Sequence, residues 1–317
     1  WYGSIFASEL SKHGARCLVL EKRNHIAGNC YTTREQGIDV HQYGPHIFHT
    51  SNAEVWEYVN NLSTFNNFVL SPIANYKGQF YNLPFNMNTF NKMWGVKTPA
   101  EAKKIIESQA SIIQSEPQNL EEQAIKLVGF DVYNKLIQGY TEKQWKKDAH
   151  LLPKEIIKRL PVRYTYDNNY FNDKYQGIPE DGYTAMFERL LDGVQVCFDV
   201  DYLSNKDEWN AKADKVIYTG AIDSYFNYIF GYLEYKTTDF KHDYFDVENH
   251  QGVAIINYTD KNVPYTRTIE HKHFRPEVKT DFTIVTTETP VQYVAKKSEP
   301  YYPVNDEKNN ALYEKYR

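Results

Sequence analysis

Gly3-Ser4-Ile5-Phe6-Ala7-Ser8-Glu9-Leu10, then Gly14, then Arg16-Cys17-Leu18-Val19-Leu20-Glu21, is the stretch that decides the fold. Ile5, Phe6, Ala7 and Leu10 fall at helical spacing, Gly14 breaks the run, and Arg16 to Leu20 reads as a short buried strand closed by an acid. In a dinucleotide-binding βαβ unit the last glycine of G-x-G-x-x-G starts a helix whose amides face a pyrophosphate, and an acid ending the second strand takes the ribose hydroxyls. Glu21 stands where that acid belongs if Gly3 is the third glycine. The first strand and two leading glycines do not precede it, so the reading starts inside the motif. The same order occurs in other α/β proteins, and by itself it leaves a nucleotide site and an ordinary packing unit equally open.

A chain of 317 residues has room for two or three structural units. Its compositional bias is tyrosine, 27 residues against 3 methionines, which suits a wet cleft holding rings and phosphates and equally suits half-buried strand positions. The net charge of −5 argues against a nucleic-acid or anionic-membrane surface. No long apolar run suggests membrane insertion. Cys17, Cys30 and Cys197 lack metal-ligand spacing and read as reduced thiols of a cytoplasmic protein, so no metal is expected.

Further along, Lys22 to Asn29 is a polar loop whose Gly28 and Asn29 allow close backbone approach. Tyr43-Gly44-Pro45-His46-Ile47-Phe48-His49 reads as a loop against a flat ligand, and His49 equally as a satisfied turn histidine. Phe68 to Tyr81 reads as a hairpin turning at Lys77-Gly78. Capping boxes at Thr98, Asn119 and Thr141 predict helix starts, Gly139 a helix stop, and Pro153 to Leu160 a last helix. Gly182 to Leu191 reads as a helix, and Val194 to Val200 and Lys215 to Gly220 as strands, the latter ending in Thr219-Gly220, a turn suited to a second nucleotide contact. From 236 to 290 the alternation predicts an antiparallel sheet. The expected architecture is α/β: a Rossmann-like domain (1–65, 190–235, 305–317), a helical insertion (88–160) and an antiparallel sheet domain (66–87, 161–189, 236–304).

No Ser-His-Asp spacing, P-loop or metal cluster is present. Arg159, Tyr170, Arg267, Tyr301 and Tyr302 are scattered near element ends and would suit a diphosphate, because guanidinium grips phosphate oxygens bidentately and phenols donate further bonds. Arg159 and Arg163 fit equally well a basic cluster at a helix C-terminus.

More specific are longer strings: Glu21 to Asn29, Tyr43-Gly44-Pro45-His46-Ile47-Phe48-His49-Thr50, Asn82-Leu83-Pro84-Phe85-Asn86, Gly139-Tyr140-Thr141-Glu142-Lys143-Gln144-Trp145, Val263-Pro264-Tyr265-Thr266-Arg267 and Glu299-Pro300-Tyr301-Tyr302. Together they resemble the bacterial UDP-galactopyranose mutase family, in the family's order over nearly the whole chain. The resemblance implies an FAD-dependent isomerase interconverting UDP-galactopyranose and UDP-galactofuranose for galactofuranose biosynthesis. Reduced FAD would attack the anomeric carbon through N5 with no net redox change. It also implies a cytoplasmic homodimer, with no nucleic acid and no membrane insertion.

Carried onto this chain, the resemblance makes Arg159 and Arg267 diphosphate clamps, with Tyr170 and Tyr301 as hydroxyl donors. Tyr140 would stack on uracil, Thr141 and Asn257 would be polar contacts, and Trp145 would ride a mobile loop. FAD contacts would be Gly3, Glu21, Lys22, Asn29, His46, Ile47, Thr219 and Gly220, with His46 near the isoalloxazine. Leu70 stands where many members carry an asparagine near the substrate. The family's leading strand and its C-terminal FAD region are not found, so truncation at both ends is expected: the chain by itself would bind FAD poorly and be inactive, whereas a longer parent would be active. Competing readings are a flavin amine oxidase-like oxidoreductase and a non-catalytic UDP-sugar-binding fragment.

Overall fold

The computed structural model describes residues 1–157 and 161–317, and the chain divides into two compact units. The first comprises Trp1–Asn67, Gly177–Tyr235 and Tyr293–Arg317, the second Phe68–Gln176 and Lys236–Gln292.

In the first unit the opening stretch folds as read. Helix Tyr2–Lys12 is followed by strand Leu18–Leu20, which pairs in parallel with Gln195–Cys197. Helix Gly182–Leu190 buries Tyr183, Met186, Phe187 and Leu190, and the Trp1 ring packs edge-on 4.8 Å from Phe187. The hairpin Thr32–Glu35 and Ile38–His41 adds Ile38 and Val40 to the buried set. Lys215 to Gly220 is not a strand. Val216 and Ile217 are 38% and 48% exposed, whereas a strand inside a parallel sheet is covered on both faces, so the apolar run lacks the neighbours that would make it one.

The second unit is a twisted sheet with a helical cluster. Within the unit the strands run in the order Tyr235–Phe245, Thr283–Val291, Arg267–Glu270, Ile255–Tyr258, Ile73–Tyr76, Gln79–Asn82. Neighbours are antiparallel except Ile255–Tyr258 against Ile73–Tyr76, which is parallel. The hairpin turn falls at Lys77 and Gly78, both left-handed (φ 51° and 80°), as a two-residue connection between right-twisted strands requires. Helices Met87–Trp94, Pro99–Ala110 and Leu120–Val128 enclose a dry core in which Phe90, Ala102, Leu120, Ala124 and Val128 are 0% exposed. The Thr98 box forms reciprocally: Thr98 Oγ1 accepts the Glu101 amide at 3.3 Å and Glu101 Oε2 accepts the Thr98 amide at 3.0 Å.

Two helix boundaries differ from the sequence reading. Helical turns run through Phe130–Val132, a π-helical stretch Tyr133–Gln138 and Gly139–Trp145 without a break, so Thr141 is a buried interior residue and not a cap. Gly139 is there for contact: a Cβ on it would lie 2.3 Å from the carbonyl oxygen of Thr259. Gly139→Ala is therefore expected to cost about 1–3 kcal/mol by overpacking, read as a lower urea midpoint, whereas a glycine without that contact would gain helix stability from the same change. Of the helix expected from Pro153 to Leu160, the described residues show a single 3₁₀ turn, Lys154–Ile156. Leu160 and Arg159 lie outside the described residues.

Candidate active site

The residues proposed for the cofactor all belong to the first unit. Glu21 sits at the end of its strand, with its amide donating to Cys197 O (2.9 Å) and its carbonyl accepting from Val200 (3.0 Å), so the backbone beneath the carboxylate is pinned. The carboxylate accepts the Arg23 amide at 2.9 Å, and Arg23 Nη1 reaches Asn29 Oδ1 at 3.0 Å. Between them Ala27 and Gly28 are both left-handed (φ 70° and 54°), turning the backbone sharply around the loop. Lys22 is exposed, its ammonium 3.5 Å from Asp201. The Thr219-Gly220 turn lies beside the first helix: a Cβ on Gly3 would be 3.6 Å from Thr219 Cγ2. Gly3, Thr219 and the Glu21 strand are thus gathered at one place despite the missing strand at 215–220.

His46 and Ile47 are half-buried, and the His46 amide donates to His41 Nδ1 at 3.1 Å. His41 is the buried partner that sequence reading missed. Burial and the neighbouring His46 hold its ring down to about 3, so it is neutral at physiological pH, with Nδ1 as acceptor and the proton on Nε2. A second missed feature is the stack of His25 on Tyr31 (3.8 Å), with His25 Nε2 2.8 Å from the Tyr43 hydroxyl. The Arg23 guanidinium lies 4.4 Å over the Tyr43 ring, and Tyr301 is a further neighbour of that ring at 6.5 Å. Tyr301 therefore belongs to this aromatic group of the first unit.

Tyr140, Thr141, Trp145, Tyr170, Asn257 and Arg267 lie in the second unit. Asn257 and Arg267 are directly opposed on adjacent antiparallel strands, and Arg267 is opposed in turn to Glu288. The three side chains share one face of the sheet because opposed residues project the same way. Glu288 is 3% exposed, and its Oε2 accepts a hydrogen bond from Arg267 Nε. That bond engages one edge of the guanidinium, on a side chain that is 29% exposed, and fixes its direction. Asn257 Oδ1 is buried with no hydrogen-bond partner among the described residues, a state costing about 1–3 kcal/mol unless a donor arrives. Tyr170 is close enough to Arg267 to feel its charge; burial pushes its phenol up and Arg267 pulls it down, with burial winning. Its segment is held by Arg163, whose guanidinium bonds Asn169 O and, at 3.3 Å, Tyr170 O, so Arg163 serves the chain fold around Tyr170; the basic cluster expected with Arg159 involves residues outside the described ones. Leu70 is buried and its carbonyl accepts the Tyr170 amide at 2.8 Å.

Helix Gly139–Trp145 presents Tyr140 and Trp145 half-buried and Thr141 buried. The carbonyl of Trp145 accepts from Lys236 Nζ at 2.8 Å, and the same ammonium lies 5.3 Å over the indole. On the opposite sheet face from Arg267 a cavity of about 400 Å³ is lined by Phe80, Phe245, His250, Tyr258 and Thr268; alternation along the strands keeps it apart from the Arg267 group.

Residues 135–317 match the family model described as UDP-galactopyranose mutase, and residues 1–62 match that of an NAD(P)-binding Rossmann-like domain. The chain is 39% identical to the dTDP-fucopyranose mutase of Escherichia coli, over 99% of this chain and 85% of that protein. This chain belongs to the UDP-galactopyranose mutase family. It is also 38% identical to a probable UDP-galactopyranose mutase of Klebsiella pneumoniae, covering 99% of this chain and 82% of the relative. A crystal structure of reduced UDP-galactopyranose mutase shares the fold, with a TM-score of 0.66 at 13% identity over 99% of this chain and 84% of the other. The chain is therefore an enzyme of the mutase class, with the Rossmann-like, helical and sheet parts of that family's architecture. Among the described residues no helix is long and apolar enough to cross a membrane.

Proposed function

We propose that this mutase interconverts the pyranose and furanose forms of a nucleoside-diphosphate galactose, UDP-galactose in the first instance, with FAD as cofactor. The single observation carrying the reading is the Arg267 platform: a guanidinium aimed by a buried carboxylate, with a phenol and an orphaned amide oxygen beside it. The guanidinium and the phenol can donate to a diphosphate through charge-assisted bonds that strengthen as the sugar bond breaks and negative charge grows on the leaving UDP, while the Asn257 oxygen, an acceptor, awaits an N–H or O–H of the ligand. Tyr170 and Tyr301 add hydroxyl donors, and Arg159 is the second guanidinium of the clamp. Tyr140 offers a ring face for the base, with Thr141 and Asn257 as polar contacts, and Trp145 closes over the bound nucleotide.

The first unit suits the cofactor. Glu21 supplies a carboxylate at a strand end for ribose hydroxyls; Lys22, Asn29 and the left-handed turn at Ala27-Gly28 supply charge, an amide and close backbone. Gly3, Thr219 and Gly220 lie together beside the helix that would face a pyrophosphate, and His46 and Ile47 complete the set. Bound and reduced, FAD would supply an N5 nucleophile for the anomeric carbon, which accounts for the lack of a protein nucleophile. Purified protein carrying FAD should turn over UDP-galactofuranose after dithionite reduction and not in the oxidised state; equal rates in both states would sink the proposal.

A second reading, a dTDP-linked 6-deoxy sugar, is favoured by Leu70. An aliphatic side chain at position 70, whose backbone carbonyl accepts the Tyr170 amide, offers no hydrogen bond to a sugar hydroxyl, and the E. coli relative carries the name of a fucopyranose mutase. Side-by-side kcat/KM values for UDP-galactofuranose and dTDP-fucofuranose decide between them. A preference of about 10²-fold or more for the fucose substrate would move the assignment to the second reading.

A further inference from the structure

Lys143 has no part in the chemistry described so far, yet it is a lysine only 7% exposed. Its ammonium donates to the carbonyl of Tyr258 at 2.7 Å and to that of Tyr265 at 2.8 Å. Those two carbonyls stand on either side of the mouth of the hairpin loop between strands Ile255–Tyr258 and Arg267–Glu270, where the Tyr258 amide donates to Thr266 O at 2.8 Å. Lys143 lies one helical turn beyond Gly139, on the same side of the helix, and Gly139 is the residue on which a Cβ would lie 2.3 Å from Thr259 O. A packing role alone would be met by an apolar side chain, since burying an ammonium is costly unless its donors are used. Here two of its three donors are spent on one loop.

We infer that Lys143 is a positioning residue: by bonding both sides of the hairpin mouth it sets the helix bearing Tyr140, Thr141 and Trp145 against the strand bearing Arg267, and thereby sets affinity for the nucleotide. The inference rests on the proposed roles of those residues. Its position in the helix suits the task. Residues 139 and 143 face the hairpin, Thr141 and Trp145 share a different side, and Lys236 secures the far end at Trp145 O. Tyr258 and Tyr265 also stack edge-on at 4.7 Å, so the mouth Lys143 grips is a rigid one and a shift of the helix is not absorbed by the loop. Burial holds the ammonium down to about 8, the Asp260 charge opposing this, so at neutral pH it is present as the charged double donor.

The test compares wild type with Lys143→Met and Lys143→Arg in the FAD-loaded protein. Lys143→Met is expected to raise KM for the nucleotide sugar about 10-fold or more, in keeping with the sensitivity of catalysis to small misplacements, with kcat within about 3-fold of wild type. Lys143→Arg, which keeps charge and donors, is expected to recover most of that loss. Hydrogen exchange at the Tyr258 amide and in helix Gly139–Trp145 should quicken in the methionine variant while flavin content stays constant. If Lys143→Met does not fold, Lys143→Gln takes its place in the same measurements. Unchanged KM with unchanged exchange, or an arginine variant as impaired as the methionine one, overturns the inference. If the wild type turns over neither nucleotide sugar, the functional reading fails separately, and the exchange data with calorimetric UDP binding still decide the role of Lys143.

Discussion

Arg267→Ala is expected to lower kcat/KM for the nucleotide sugar by about 10²–10³-fold, the usual loss when a preorganised charge-stabilising group is deleted, while flavin content and spectrum stay those of wild type. The expectation follows from where the guanidinium is and what holds it. It stands on a sheet strand between Asn257 and Glu288, and Glu288 is buried and bonds it at Nε. The side chain is thus oriented before any substrate arrives, which is the condition under which electrostatic stabilisation costs no reorganisation. Arg267→Lys should recover little, because an ammonium cannot be held at one edge by Glu288 and grip two phosphate oxygens in a plane at the other. Single-turnover rates and UDP affinity are the measurements. Activity retained in the alanine variant would refute the clamp role, and a lost flavin spectrum would mean that the change had acted through the fold instead.

The second large effect concerns acid stability of the sheet. Glu270 is 0% exposed; its carboxylate accepts the amides of His250 (2.9 Å) and Gln251 (2.8 Å), and His273 Nε2 lies 3.1 Å away. Burial would push this carboxyl up, but His273 and the two amides outweigh it and hold it down to about 2, against 4.5 ordinarily. A carboxylate whose folded value is depressed adds stability that is fully present above the unfolded value and disappears as pH falls through the folded one. From pH 4.5 down to about 2 the loss is about 3 kcal/mol from this group alone. Glu270→Gln should therefore lower the urea unfolding free energy by about 1.5–3 kcal/mol at pH 6, with the gap to wild type closing as pH drops below 4.5. A gap independent of pH would show that the carboxylate is not the stabilising form. His250, which Glu270 fixes, stacks on Phe245 at 3.9 Å, so the same variant should also loosen the wall of the cavity on that face.

Much of the local structure is legible in the residues. The reciprocal bonds of the Thr98 box, the cap at Asn119 and the turn at Lys77-Gly78 all involve partners two to four residues apart, and chain connectivity alone brings them together. Where the same vocabulary fails, a distant segment has overridden it. Thr141 followed by Glu142 and Gln144 spells a helix start, yet the helix runs straight through, because Gly139 is pressed against Thr259 and Lys143 is bonded to Tyr258 and Tyr265. Lys215 to Gly220 spells a strand and is not one, because a strand is defined by neighbours it does not have here.

The candidate site divides the same way. Family-specific strings contain Arg267, Tyr140, Thr141 and Trp145, and membership of the mutase family bears out the identity those strings imply. No string names the residues beneath them: Glu288 under Arg267, Arg163 behind Tyr170, His41 behind His46. Glu288 acts through a bond between separate strands, Arg163 through bonds to the backbone of Asn169 and Tyr170, and His41 through the amide of His46, and a buried carboxylate or imidazole looks in sequence like any other polar residue in a strand. The order Gly3, helix, strand, Glu21 by itself determined an α/β start, since helix period, glycine break and strand run are properties of adjacent residues; that the start is Rossmann-like came from the family match over residues 1–62. Which side chains gather around Arg267, and which backbone groups Lys143 ties together, only the tertiary structure decided. Those pairings join strands and helices more than a hundred residues apart in the case of Lys143, and no short-range chemistry encodes them.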